Sequence, residues 1–369
     1  MRVMRIGVFL NTPAQFHFYK NVISRLKSRG NTVEVLYRNY GETPDLIRES
    51  GYSAFVFSYH ANSKYGKIFS LPFDILRAFK HLRGFKPDVV TGFGVYDAYT
   101  SFLLKSACIV FNDSEPRVNP LSYSIQFKLF IPFVDVLLTP DSFRDDLGKK
   151  HLRVASYKEL AYLHPNYYSP DASIFELLGI PEGEEYVLLR FNAFDAVHDA
   201  GIRGFTAEDK ITLVKELEKH AHVFISAEGK IPRELEKYIL RVPKSRIHDV
   251  IYYAKLLVTD TQTMATEGAL LGTPTIRSNK FVGHNDMGNF IELEKRFGLM
   301  LNIKDPKKAI QKALELAQQD NLKREWKKKR KKLLEEKIDI ASFMVWFLEN
   351  YPESLEEFRQ NPSIQYRFK

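Results

Sequence analysis

Short runs of apolar and β-branched residues recur along this chain, and nearly every one precedes a segment whose apolar residues return at helical spacing. Val3 to Leu10 leads through Asn11-Thr12-Pro13 into a helix where Phe16, Tyr19, Val22, Ile23 and Leu26 share a face, closed by Gly30. Thr32 to Tyr37 reads as the second strand, Ala54 to Phe57 as the third, and Asp88 to Thr91 as the fourth. Ala107 to Phe111 and Val134 to Thr139 complete the first series, with helices around Thr43 to Ser50 and Pro72 to Arg83 between strands. Strands this uniformly apolar are buried on both faces, as in a parallel sheet covered by helices on each side. The pattern restarts after the polar, proline-bounded stretch Asn166 to Pro170. Strands are predicted at Tyr186 to Arg190, His222 to Ser226, Lys255 to Thr259, Pro274 to Ile276 and Leu299 to Ile303, with helices between them, one at Pro232 to Leu240.

The predicted fold class is α/β: two Rossmann-like domains with parallel sheets facing a central cleft, and C-terminal helices. The expected boundaries are 1–165 for the N-terminal domain, on the acceptor side, and 166–337 for a nucleotide-binding domain. Residues 338–369 are expected to form a helix and tail packing back on the first domain. A chain of 369 residues is long enough for both cores.

The single cysteine, Cys108, excludes an internal disulfide or a cysteine metal cluster and reads as a small buried hydrophobe. Met1 to Leu10 lacks the apolar region of a signal peptide, and Leu121 to Leu138 is broken by Lys128, Pro132 and Asp135, so a cytoplasmic protein is expected. The formal net charge of +9 suits an acidic partner: a nucleoside diphosphate, a phospholipid surface or nucleic acid. Much of the excess lies in Lys327 to Lys332, which reads as a solvated helical face rather than a nucleic-acid site. Phe69, Leu71, Phe73, Ile75, Leu76 and Phe79, interleaved with Lys67, Arg77, Lys80 and Arg83, read as a core-facing helix by their spacing. The alternative for this stretch is peripheral contact with a membrane carrying a lipid-linked acceptor.

Ligands of open parallel sheets bind beyond the carboxyl ends of the strands. In the first domain these ends carry His17, Asp97, Asp113 and Glu115; in the second, Arg190, Asp195, His198, Asp199, Asp260 to Thr263 and Arg277. The segment from Thr259 to Arg277 is the sharpest motif: strand, polar turn, helix, Gly272-Thr273-Pro274, strand. Thr261, Gln262 and Thr263 would set hydroxyls and bare amides at a helix start, where the dipole favours a diphosphate. Glu267, one turn on, is placed to accept from ribose hydroxyls.

This segment resembles the GT-B superfamily of nucleotide-sugar enzymes. In its glycosyltransferases and in nonhydrolysing UDP-N-acetylglucosamine 2-epimerases the equivalent unit holds the nucleotide. The epimerase pattern Ser-Asp-Ser-Gly-Gly followed by Gln-Glu-Glu is similar to Thr259-Asp260-Thr261-Gln262-Thr263 followed by Ala265-Thr266-Glu267. The resemblance implies phosphate contacts from Thr261 to Thr263 and a ribose contact from Glu267. The whole chain is more similar to an uncharacterised, mainly archaeal family related to both, through Phe16 to Asn21, Glu159 to Asn166 and Leu189 to Asp199. Departures stand where the epimerase acids fall: Gly92-Phe93-Gly94-Val95 with Asp97 later, and Asp113-Ser114-Glu115.

The expectation is therefore metal-independent transfer of a sugar from a nucleotide-sugar, needing no cofactor, to an unknown acceptor. Epimerisation, or non-catalytic binding of a polyanion, are the alternatives. Arg190 and Arg277 are candidates to neutralise the leaving diphosphate. His17 is the candidate general base, with Asp113 or Glu115 as its rival. Asp97, Asp195 and His198 are assigned to the sugar pocket or to ordering a loop, which for His198 with Asp195 and Asp199 is preferred to binding metal.

Overall fold

The computed structural model describes residues 3–59, 64–118, 125, 127–192, 204–227 and 229–369. They divide into two compact units, one of Met1–Tyr167 with Lys337–Lys369, the other of Tyr168–Glu336.

The first unit holds seven parallel strands: β1 (Arg5–Leu10), β2 (Thr32–Asn39), β3 (Ala54–Tyr59), β4 (Val89–Gly92), β5 (Ala107–Phe111), β6 (Val136–Pro140) and β7 (His151–Val154). Their order is β3-β2-β1-β4-β5-β6-β7, so the sheet grows outward in both directions from the β1/β4 pair. The second holds β8 (Tyr186–Phe191), β9 (His222–Ala227), β10 (Leu256–Thr259), β11 (Thr275–Arg277) and β12 (Met300–Asn302), in the order β12-β11-β10-β8-β9. Here the direction reverses between β8 and β10. Each reversal separates the loops above two neighbouring strands and leaves a crevice at the strand ends. Both units are thus Rossmann-like, as the sequence predicts. The helix predicted at Pro232 to Leu240 is a shorter 3-10 segment, Arg233–Tyr238.

Aromatic rings fill the first core beneath its crevice. Phe18, on the helix Pro13–Ser28, stacks on Phe111 at 4.6 Å, and Phe93 meets both edge-on. The segment after Glu336 completes this unit. Its helix Ile340–Glu349, apolar nearly all round, packs on Pro13–Ser28. Polar ties hold the pair: Arg25 Nη1 donates to Ser342 Oγ at 2.6 Å, and Glu349 accepts from Arg29 and Asn31, each at 2.9 Å.

Two surface readings need correction. The basic helix Leu322–Glu336 is only partly a solvated face. Lys327, Lys328, Lys331 and Lys332 are exposed, but Lys323 donates to the Tyr252 carbonyl and Arg330 Nε to the Leu270 carbonyl. These carbonyls close the helices Ile247–Tyr253 and Gln262–Leu271, where backbone dipoles attract a cation. The second concerns the helix Lys64–Phe85, which buries Asp74, Ile75, Ala78 and Leu82 but leaves Phe69, Phe73 and Leu76 in solvent. Among the described residues no helix is long and apolar enough to cross a membrane.

Candidate functional site

In the second unit, register aligns the strand tips: Thr259 of β10 lies opposite Arg190 of β8 on one side and Arg277 of β11 on the other. Asp260, the next residue, therefore falls at the β8/β10 reversal. Its Oδ1 accepts from the Asn192 amide at 2.8 Å, and its carbonyl accepts from Asn279 Nδ2 at 3.0 Å. Its Oδ2 is buried and has no hydrogen-bond partner among the described residues; the same is true of Ser278 Oγ. Burial pushes the Asp260 carboxyl up to about 7, against the Asn192 amide and the charges of Lys210 and Arg190. A buried acid with one oxygen unsatisfied is costly to stability, which makes the position a candidate for a functional group.

The helix Gln262–Leu271 starts here. Thr261 holds the N-cap position with extended backbone, but its hydroxyl bonds to Thr259 Oγ1 at 2.8 Å and makes no bond over the first turn. Thr12, Thr206, Asp305 and Asp339 each accept from an amide in the first turn of their own helices, whereas Glu42, Val95 and Met287, like Thr261, make no such bond. Gln262 is half-buried and Thr263 exposed, so the turn reaches solvent. Its depth is fixed by Gly268: a Cβ there would lie 2.5 Å from Thr275 Oγ1 and 2.6 Å from Leu257 Cδ2. Further along, Glu267 is buried and paired with His248 Nε2 at 3.1 Å.

Of the two arginines expected to meet phosphate, Arg190 is half-buried and donates to Ser226 Oγ at 2.8 Å. Arg277 is walled off. Its side chain is fully buried, ion-paired with Asp286, bonded through Nε to Asn302 Oδ1 at 2.8 Å and stacked over Phe290. It braces β11 against the helix Gly288–Lys295 and presents no donor to solvent. Lys210, on the helix Ala207–Leu217 with its ammonium 5.0 Å above the Phe191 ring, supplies positive charge that strand-end reasoning missed. A lysine in the second turn of a helix carries no local signal of that kind. His248, in the first turn of Ile247–Tyr253, carries no such signal either, whereas Asn279 stands two residues past β11, where strand-end reasoning could have found it. Asp195, His198 and Asp199 lie outside the described residues.

In the first unit the loop after β4 folds back on itself. Asp97 is buried and both its oxygens accept from the Gly94 amide, at 3.1 and 3.0 Å. Burial pushes its carboxyl up to about 6, against that hydrogen bond. Asp97 therefore orders this loop. It approaches so closely that a Cβ on Gly92 would sit 2.7 Å from its Cγ. Gly92→Ala should cost about 1–3 kcal/mol in a denaturant titration; an unchanged midpoint would show that the loop yields freely.

Asn11, after β1, has a buried Oδ1 without a partner among the described residues. After β5, Asp113 pairs with Lys158 at 2.5 Å, and Glu115 is buried 3.9 Å from Arg117 Nε. Burial would weaken the Lys158 ammonium, but Asp113 and Glu159 hold it above its ordinary range. His17 is half-buried in the second turn of its helix, with its ring 5.3 Å from that of Tyr162. The three candidate bases thus have different immediate neighbours.

The chain belongs to the family described as Protein of unknown function (DUF354), whose model matches residues 5–350. No curated protein matches it. Among solved structures it is similar to S. aureus MnaA with UDP, at TM-score 0.66 and 11% identity, covering 95% of this chain and 98% of that one. It is also similar to the UDP-GlcNAc 2-epimerase of Methanocaldococcus jannaschii, at TM-score 0.60 and 14% identity, over 86% and 94%. The calicheamicin glycosyltransferase CalG4 gives 0.59 and 13%, over 95% and 100%. At these identities the likeness is one of fold.

Proposed function

We propose that this DUF354 protein binds a nucleoside diphosphate-sugar at the open first turn of Gln262–Leu271 and transfers the sugar to an acceptor without a bound metal. The observation that carries this reading is a helix start lacking a side-chain cap bond, at the rim where Asp260 Oδ2 and Ser278 Oγ are buried with no partner among the described residues. Bare amides and the helix dipole suit a diphosphate, and the unsatisfied rim groups suit a polar ligand that would complete them. The UDP-bound S. aureus relative in fold supports the nucleotide class. Thr261, Gln262 and Thr263 take the phosphates. Arg190 and Lys210 offset the leaving charge in place of Arg277. Glu267, oriented by His248, accepts from the ribose. His17, Asp113 and Glu115 are assigned to activating the acceptor hydroxyl.

Calorimetric titration with UDP, UMP and the other nucleoside diphosphates tests this. A diphosphate should bind more tightly than its monophosphate, with the same affinity in EDTA. At one hundred times its dissociation constant it should stabilise the fold by about 2.7 kcal/mol. Glu267→Ala should weaken binding about tenfold or more, at the cost of one charge-assisted hydrogen bond. Binding by none of these nucleotides would sink the proposal. Release of an epimerised sugar nucleotide without any acceptor would convert it to the 2-epimerase reading, which the Methanocaldococcus jannaschii UDP-GlcNAc 2-epimerase of similar fold favours.

A further inference from the structure

Five residues of the helix Lys64–Phe85 form one outward stripe: Phe69, Phe73, Leu76, Lys80 and Arg83. At 3.6 residues per turn their spacing confines them to an arc of about 80°. Phe69 is 74% exposed and Phe73 71%, with Leu76 also exposed one turn on. The helix Tyr96–Leu104 packs beside this one and adds Phe102, 60% exposed with its ring against Phe133. Single exposed apolar residues are ordinary; aromatic rings in register along one helix mark a contact surface.

Charge identifies the kind of contact. From residue 69 to 105 the exposed ionic side chains are Arg77, Lys80, Arg83, Lys86 and Lys105, all cationic. The three acids of this stretch are withdrawn: Asp74 is buried and accepts from Ser58, Asp97 is buried, and Asp88 is paired with Arg5. Apolar rings at one end of a stripe and uncompensated cations at the other match the acyl boundary and phosphates of an anionic bilayer.

We propose that this face seats the protein on an anionic lipid surface, with Phe69, Phe73 and Leu76 entering the headgroup–acyl boundary and Lys80 and Arg83 pairing with lipid phosphates. The inference is independent of the nucleotide site, since none of these residues belongs to it.

Sedimentation of the full chain with vesicles of equal phosphatidylglycerol and phosphatidylcholine, against phosphatidylcholine alone, tests it. The expected result is binding to the mixed vesicles that falls about tenfold or more in high salt or without the anionic lipid. F69S/F73S should lose about tenfold through the lost apolar contact, and K80E/R83E about tenfold or more through charge. Lys80 and Arg83 are in solvent, so K80E/R83E carries the test even if the phenylalanine variant folds poorly; circular dichroism verifies each. Failure of the wild type to bind mixed vesicles, or full binding by a folded K80E/R83E, overturns the proposal. So does analytical ultracentrifugation showing a dimer that F69S/F73S dissociates in a protein that ignores vesicles, which would make the face a self-interface.

Discussion

Arg277→Ala is expected to unfold the second unit preferentially, lowering its unfolding free energy by about 3–5 kcal/mol. The guanidinium is buried between Asp286, Asn302 and the Phe290 ring. Burial drives both members of the Arg277–Asp286 pair toward neutrality, and their mutual attraction opposes it. Removing the arginine leaves the buried Asp286 carboxylate without its counter-charge. The loss should therefore come from a stranded charge more than from lost packing. Arg277→Met combined with Asp286→Leu should recover most of it, since well-packed apolar replacements of both partners are often neutral. The two tryptophans make the measurement unit-specific: buried Trp326 lies in the second unit, donating to the Leu299 carbonyl, and Trp346 in the first. Urea unfolding followed by Trp326 fluorescence in a Trp346→Phe background reads the second alone. A loss under 1 kcal/mol, or no recovery in the double variant, would show that the pair is not what holds β11 in place.

Asp260→Asn is expected to stabilise the protein at neutral and higher pH while impairing nucleotide binding. The folded carboxyl lies at about 7 against an ordinary 3.8, with burial as the main cause. Below pH 4 both folded and unfolded forms hold the proton, and the position costs nothing. Between about pH 4 and 7 the unfolded chain gives up its proton and the folded one keeps it. Stability accordingly falls as pH rises, by on the order of 4 kcal/mol in all, and levels off above the folded value. An amide cannot ionise, so Asp260→Asn should match the wild type near pH 4 and exceed it at pH 8. Denaturant titrations at pH 4, 6 and 8 measure the difference; parallel pH profiles for the two proteins would show that Asp260 is not held as an acid. A residue whose removal improves the fold and harms the ligand is one retained for chemistry.

What could be read from the chain follows from which interactions are local. The inner strands β1, β4, β5, β8 and β10 announce themselves because burial on both faces leaves them almost no polar residues. Strand β7 was overlooked: His151-Leu152-Arg153-Val154 is short and half polar, as an edge strand can be. Its histidine is buried and bonded to Thr139 Oγ1 at 2.8 Å, and burial holds it down to about 4, a partnership across β6 that no spacing rule foretells. The turn at Thr261 to Thr263 was readable because a strand, a polar turn and a helix are consecutive. The burial of Arg277 was not, because Asp286 and Phe290 come from a later loop and helix. Nor could spacing reveal that Phe69 and Phe73 face outward, since an amphipathic pattern defines a stripe without saying which side the sheet takes.

Because the chain enters the second unit at Tyr168 and leaves it at Glu336, that unit is one uninterrupted stretch of polypeptide, and the first is made of two pieces. During synthesis the seven-stranded sheet must wait, with the Pro13–Ser28 helix uncovered, until Ile340–Glu349 is made. The second unit has no such delay. Trimming residues after 336 should therefore harm the opposite end of the protein first, and the natural fragment to express alone is the middle of the chain.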